Sequence, residues 1–102
     1  MASLVITYWR DIPSQVVAKA GRMSEKRMLP ERFQEAIDMA AMRSGAGGTD
    51  DYLAEWRRGA PVECSDDLAG EAEKALQTLD KDYGPERLKA LIANGGRAAA
   101  AS

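Results

Sequence analysis

From Leu4 to Trp9 (LVITYW) the chain is an unbroken run of apolar, β-branched and aromatic residues, while after Leu29 apolar residues recur at helical spacing. The first pattern predicts a strand, with Leu4, Ile6 and Tyr8 on one side and Val5, Thr7 and Trp9 on the other. Both sides are largely apolar, so a central place in a sheet is expected. Arg10-Asp11-Ile12-Pro13-Ser14 is read as the break, because Asp and Ser favour local turns and Pro13 has no N–H for a ladder. Gln15 to Ala20 predicts a second strand, Gly21-Arg22 a turn, and Met23 to Met28 a short third strand carrying Lys26 and Arg27. An antiparallel meander is the simplest arrangement of the three.

The second pattern organises the rest of the chain. In Leu29 to Arg43 (LPERFQEAIDMAAMR), Phe33, Ala36, Ile37, Ala40 and Ala41 fall at i, i+3, i+4, i+7 and i+8, one buried face of an amphipathic helix. Pro30 suits the first helical position, where its missing N–H has no helical partner to lose. Gln34 and Asp38 are spaced to pair on the wet face. The run Gly45-Ala46-Gly47-Gly48 ends the helix. Thr49 is read as the N-cap of a second helix with Asp50 and Asp51 in its first turn; Tyr52, Leu53 and Trp56 mark one face, and Gly59-Ala60-Pro61 ends it. Ser65 is read as the cap of a third helix with the stripe Leu68, Ala72, Ala75, Leu76, Leu79 and Tyr83. Gly84-Pro85 starts a fourth, with Leu88, Leu91 and Ile92 inward and Asn94-Gly95-Gly96 at its end. The expected fold is α+β: a small antiparallel sheet of two or three N-terminal strands on a central helix, then three further helices. Residues 1–96 form one domain in this reading, and 97–102 a disordered small-residue tail.

Composition narrows the chemistry. At 102 residues the chain can bury one modest core. Its formal net charge of −2 argues against a generic nucleic-acid binder. There is no histidine, which removes the commonest general base and metal ligand together. The single Cys64 excludes an internal disulfide and any cysteine-cluster zinc site. No apolar run reaches the ~18 residues of a membrane span, and Met1-Ala2-Ser3-Leu4 lacks a charged leader. A cytoplasmic protein with no membrane contact and no cofactor is therefore expected.

Each remaining feature has a plain structural explanation. Cys64 precedes a predicted helix start, where a thiol pKa can fall, but Asp66 and Asp67 oppose a thiolate and no base accompanies it. Asp50-Asp51 and Asp66-Asp67 lack the alternating ligands of a calcium loop, and helix capping accounts for both. No metal site is expected. The glycines at 45, 47 and 48 are not followed by the Lys and Ser/Thr of a phosphate loop. Lys19, Arg22, Lys26 and Arg27, with Tyr8 nearby, resemble an RNA-binding sheet in charge but lack its aromatic signature.

Two dipeptides stand out: Trp9-Arg10 and Trp56-Arg57, the latter followed by Arg58. Trp supplies apolar area and Arg a fixed fork of donors, the usual materials of binding hot spots, although the same residues also stack inside monomers. Arg10 and Asp11 close a buried strand and need partners there. The central helix offers Arg32, Glu35 and Asp38, so Arg10–Asp38 or Asp11–Arg32 pairs are expected. The candidate binding residues are thus Trp9, Arg10, Asp11, Arg32, Asp38, Trp56 and Arg57.

Three blocks share a further feature: Tyr8-Trp9-Arg10-Asp11-Ile12-Pro13; Leu29-Pro30-Glu31-Arg32-Phe33 with Ala36-Ile37-Asp38 and Ala41-Met42-Arg43; and Asp51-Tyr52-Leu53 with Glu55-Trp56-Arg57. Together they resemble the small bacterial virulence factor domain family over residues 4–58; the segment after Cys64 carries no such resemblance. The resemblance implies a module found alone or within longer repeat-containing proteins, with an association to folate or corrinoid one-carbon metabolism. It carries over no catalytic residue. The leading expectation is a non-enzymatic accessory module with a protein partner and no nucleic acid. The alternative is a small enzyme or ligand-binding domain using Arg10, Asp11, Arg32 and Asp38 in a polar pocket.

Overall fold

The structure, a computed structural model, describes residues 2–45 and 48–97, apart from the side chain of Thr49. It is α+β, with an antiparallel sheet and four helices. Strands β1 (Ala2–Trp9), β2 (Ile12–Ala20) and β3 (Met23–Met28) form the predicted meander. Helix α1 (Glu31–Arg43) follows, then α2 (Thr49–Ala54), β4 (Trp56–Arg58), β5 (Val62–Cys64), α3 (Leu68–Asp82) and α4 (Pro85–Ala93). Among the described residues no helix is long and apolar enough to cross a membrane.

The break after β1 is shorter than the sequence suggested. Only Arg10 and Asp11 turn, with Arg10 at φ +54°, and Ile12, Pro13 and Ser14 already belong to β2 and are buried. Proline is tolerated there because β3 ends opposite Gln15, so at Pro13 that side of β2 has no ladder to supply. The register slips at the same place: Thr7 faces Gln15 but Tyr8 faces Pro13, leaving Ser14 as the extra residue. The Ser14 carbonyl instead accepts the Leu29 N–H at 3.1 Å, fixing the approach to α1. The slip also upsets the alternation. Trp9 and Ile12 lie opposite each other, both fully buried, and Trp9 joins the core of Leu4 and Ile6 rather than the side of Val5 and Thr7.

Helix α1 buries the expected face, Phe33, Ala36, Ile37, Ala40 and Ala41. The small Ala40 and Ala41 suit the close approach of α4, against which α1 packs while also meeting β2. Pro30 stands at the cap position rather than inside the first turn, and Gln34 donates to Asp38 at 3.0 Å. Ser44 ends the helix and Gly45 follows at φ +78°; Ala46 and Gly47 lie outside the described residues.

The segment after α2 departs from the helical reading. Trp56 is in a strand, β4, pairing with Trp9. β5 pairs with Ala2–Leu4 of β1, and the Gly59 N–H donates to the Ile6 carbonyl at 2.8 Å, so residues 56–64 run along β1 as one edge interrupted at Ala60 and Pro61. Two three-residue strands are too short to print an alternation on the sequence. The cap of α3 is Asp67, whose carboxylate accepts the Gly70 N–H at 3.2 Å, not Ser65. Helix α3 lies across β2 and β3, with Leu68 and Ala72 packed near Ala2 and Ala18, and Leu79 in the main core. The helices thus cover one side of the sheet. Val5 and Val17, on the other side, join neither core cluster.

Candidate functional site

The Arg10–Asp11 turn is tied down from two directions. The Arg10 N–H donates to the Glu55 carbonyl at 3.1 Å, and the Asp11 N–H to the Gly96 carbonyl at 2.8 Å. The Arg10 side chain runs inward over the Trp9 ring, 4.9 Å from its centre. Its guanidinium donates to the Gly95 carbonyl at 2.7 Å and pairs with Glu55 at 3.4 Å, and Arg97 also reaches Glu55 at 3.6 Å. Trp9 Nε1 donates to the Tyr52 carbonyl at 2.8 Å. Tyr52 stacks on Trp9 and meets Trp56 edge-on, with ring centres 5.8 Å apart in both cases.

Arg57 is disposed differently. Its guanidinium lies over the Tyr8 ring at 4.6 Å, donates through Nε to the Arg10 carbonyl at 2.9 Å, and pairs with Asp11 at 3.1 Å. Five of the seven predicted residues, Trp9, Arg10, Asp11, Trp56 and Arg57, therefore meet at one corner. Arg32 and Asp38 do not. Arg32 pairs with Asp80 at 2.7 Å and donates to the Asp80 and Tyr83 carbonyls, closing the C-terminal end of α3. Asp38 accepts from Gln34, which also meets the Tyr52 hydroxyl. The expected Arg10–Asp38 and Asp11–Arg32 pairs are thus replaced by Arg10–Glu55 and Asp11–Arg57. Arg57 comes from β4, the ladder neighbour of β1, and Glu55 from the end of α2 just before it, a stretch that reads as helix in the sequence.

Beside the turn, on the helix side, a cleft of about 380 Å³ opens between β1, β4 and α4. Tyr8, Asp11 and Arg57 form one wall; Tyr83, Arg87 and Leu91 form the other. The Arg87 guanidinium stacks over Tyr83 at 4.0 Å, with one long donation to the Asp82 carbonyl at 3.4 Å. Among the described residues Arg87 has no ion pair. Gly59 floors the cleft because a Cβ there would stand 3.1 Å from the Tyr8 ring and 3.2 Å from the Ile6 carbonyl. Burial raises the Tyr83 pKa above its ordinary value, and the nearby Arg87 charge partly offsets this. Two guanidiniums against one carboxylate leave the lining with a single excess positive charge.

Sequence reasoning takes Tyr83 only as the end of the apolar stripe of the third helix and passes over Arg87. Their spacing of four on the approach to α4 was the available signal, since an arginine one helical turn beyond a tyrosine can fold back on its ring. Tyr8 reads as a strand residue near the basic sheet positions, yet it faces this cleft rather than the open side that carries Lys19. Cys64 is half-buried, and its pKa is raised by desolvation first and then by the Glu71 and Asp66 charges. Among the described residues no group of three or more acidic or cysteine side chains could hold a metal ion.

A family model described as Virulence factor matches residues 7–92. No curated protein and no solved structure matches the chain. The match carries the resemblance well past residue 58, through α3 and into α4, so Tyr83, Arg87 and Leu91 lie within the family span together with Tyr8, Asp11 and Arg57.

Proposed function

The chain belongs to the virulence factor family, and from that premise we propose that it is a non-enzymatic recognition module whose cleft takes an anionic group of a protein partner. One observation carries the proposal: two arginines on different elements, each laid on a tyrosine, line one concave site of about 380 Å³. That volume is in the range of small-ligand pockets. Stacking holds both guanidiniums in place before a ligand arrives, which lowers the ordering cost of binding. Arg57 is already neutralised by Asp11, so the excess charge is that of Arg87, which suits a monoanion such as a carboxylate. The polar set Arg10, Asp11, Arg32 and Asp38 offers no comparable site, since Arg10 is engaged with Gly95 and Glu55, and Arg32 is bound at the end of α3. A folate- or corrinoid-dependent methyl-transfer assembly, which the resemblance suggests, is the first place to look for the partner.

The test is affinity capture from a lysate of the native cell, run in parallel with wild type and Arg87→Gln, and a titration with the monoanion N-acetylglycinate followed by NMR. Partner capture that drops with Arg87→Gln, and shifts centred on Tyr8 and Tyr83, are the expected results. Capture and shifts indifferent to Arg87→Gln would remove the cleft from the proposal.

A further inference from the structure

The side of the sheet away from the helices carries unpaired cations. Ladder register places Val5, Thr7, Gln15, Val17 and Lys19 on that side, with Arg58 opposite Thr7 and Lys26 opposite Val17. Val5 and Val17 are half-buried, while Lys19, Lys26 and Arg58 are exposed. Among the described residues none of these three cations has an ion pair, whereas Arg10, Arg27, Arg32, Arg57 and Arg97 all do. Glu63, opposite Ser3, is the one carboxylate that ladder register puts on the same side, at its β5 edge, so three cations outnumber it there. A chain of net charge −2 therefore presents one apolar-centred face of positive charge.

This face is continuous with the cleft. A depression of about 490 Å³ on the open side is bordered by Val5, Lys19, Arg58, Gly59 and Pro61, and Gly59 borders the cleft as well. The link is the interruption between β4 and β5. There the Gly59 N–H still donates to the Ile6 carbonyl at 2.8 Å, the register of β4 and β5 breaks off at Ala60 and Pro61, and Gly59 can hold no side chain without meeting Tyr8. A narrower recess between Val5, Val17, Lys19 and Arg58 extends the path across the sheet.

We propose that the partner contributes an extended acidic segment, which crosses the Gly59–Pro61 notch from the cleft and lies over Val5 and Val17 between Lys19, Lys26 and Arg58. The anchor in the cleft rests on the reading given above; the sheet face stands on its own charges. Charge complementarity selects an acidic partner. The depression and recess are lined by no aromatic ring on which bases could stack, so a peptide fits better than a nucleic acid.

A fluorescein-labelled oligoglutamate peptide and a labelled oligothymidylate serve as probes, read by anisotropy on the full chain. Saturable oligoglutamate binding that weakens as salt rises is expected. The triple variant Lys19→Glu/Lys26→Glu/Arg58→Glu should weaken it by roughly tenfold or more. Circular dichroism checks its fold, and the neutral Lys19→Gln/Lys26→Gln/Arg58→Gln variant replaces it if it unfolds. A loss with the face variant but not with Arg87→Gln upholds the face and overturns the cleft anchor. Loss with Arg87→Gln alone does the reverse. No binding by wild type, or tighter binding of oligothymidylate, overturns the acidic-segment proposal.

Discussion

The Trp-Arg dipeptides at 9–10 and 56–57 are neighbours across one ladder, Trp9 opposite Trp56. Their environments differ sharply. Trp9 is fully buried and the Arg10 side chain is 12% exposed, whereas Trp56 is half-buried and Arg57 is 51% exposed. One arginine closes the turn against the glycines after α4 and the carboxylate after α2; the other lies on Tyr8 at the mouth of the cleft. An arginine next to a tryptophan is thus not one kind of feature. Its role follows from which strand is central and which is the edge, because only the central strand has neighbours enough to enclose both side chains.

The widest gap between the two dipeptides should be in stability. Trp9→Ala removes a side chain from the core and should cost about 3–5 kcal/mol. Trp56→Ala, with one side in solvent, should cost less than about 2 kcal/mol. Urea denaturation of both variants measures the difference, and equal losses would break the comparison.

The arginines should differ in the same sense. Arg10→Gln leaves the half-buried Gly95 carbonyl without its charged donor and Glu55 with Arg97 alone, at about 1.5–3 kcal/mol. Arg57→Gln disrupts a largely solvated pair and should cost under about 1 kcal/mol, while weakening anion binding in the cleft. Thermal melts beside the N-acetylglycinate titration separate the two effects. A larger stability loss at Arg57 would reverse their assignment.

Two glycines sharpen the point at smaller scale. Gly96, at φ +91°, faces the Trp9 ring, and a Cβ there would stand 2.8 Å from it. Gly96→Ala should cost roughly 1–3 kcal/mol from backbone strain alone, with the ring contact adding to it. Gly45, at φ +78°, has open space around it, so Gly45→Ala should show the strain without the clash and lose less. If the two variants melt together, Gly96 does not hold the end of α4 against Trp9.

The smallest effect is on the cleft side and depends on pH. The raised Tyr83 pKa means that the folded state holds the phenolic proton more tightly than the unfolded chain. Its contribution to stability is therefore complete below the ordinary value of 10.0 and is lost as pH rises from there through the folded pKa. Tyr83→Phe should flatten that part of the alkaline stability profile, as followed by urea denaturation at stepped pH. An unchanged slope in the variant would place the titration elsewhere.

Much of the architecture was legible because it is local. The spacing of Phe33, Ala36, Ile37, Ala40 and Ala41 specifies a buried helical face whatever lies against it. The meander of β1, β2 and β3 follows from strand-forming runs joined by short turns, and Gly45, Gly95 and Gly96 end helices because they accept positive φ. The block Tyr8–Pro13 and the two Trp-Arg dipeptides fall together at one corner of the molecule, whereas Arg32 and Asp38, expected beside them, lie elsewhere.

What only the tertiary structure decided is long-range. Trp56 has the propensity for either helix or strand; pairing with Trp9 makes it a strand. That pairing brings Glu55 and Arg57 to the Arg10–Asp11 turn across more than forty residues, so no local spacing could name them as partners. The cleft exists because α4 returns beside the same ladder and sets Tyr83 and Arg87 facing Tyr8 and Arg57. The chain's own periodicity determines which side of each element is apolar; which neighbour covers it depends on contacts whose loop-closure cost only the assembled core offsets.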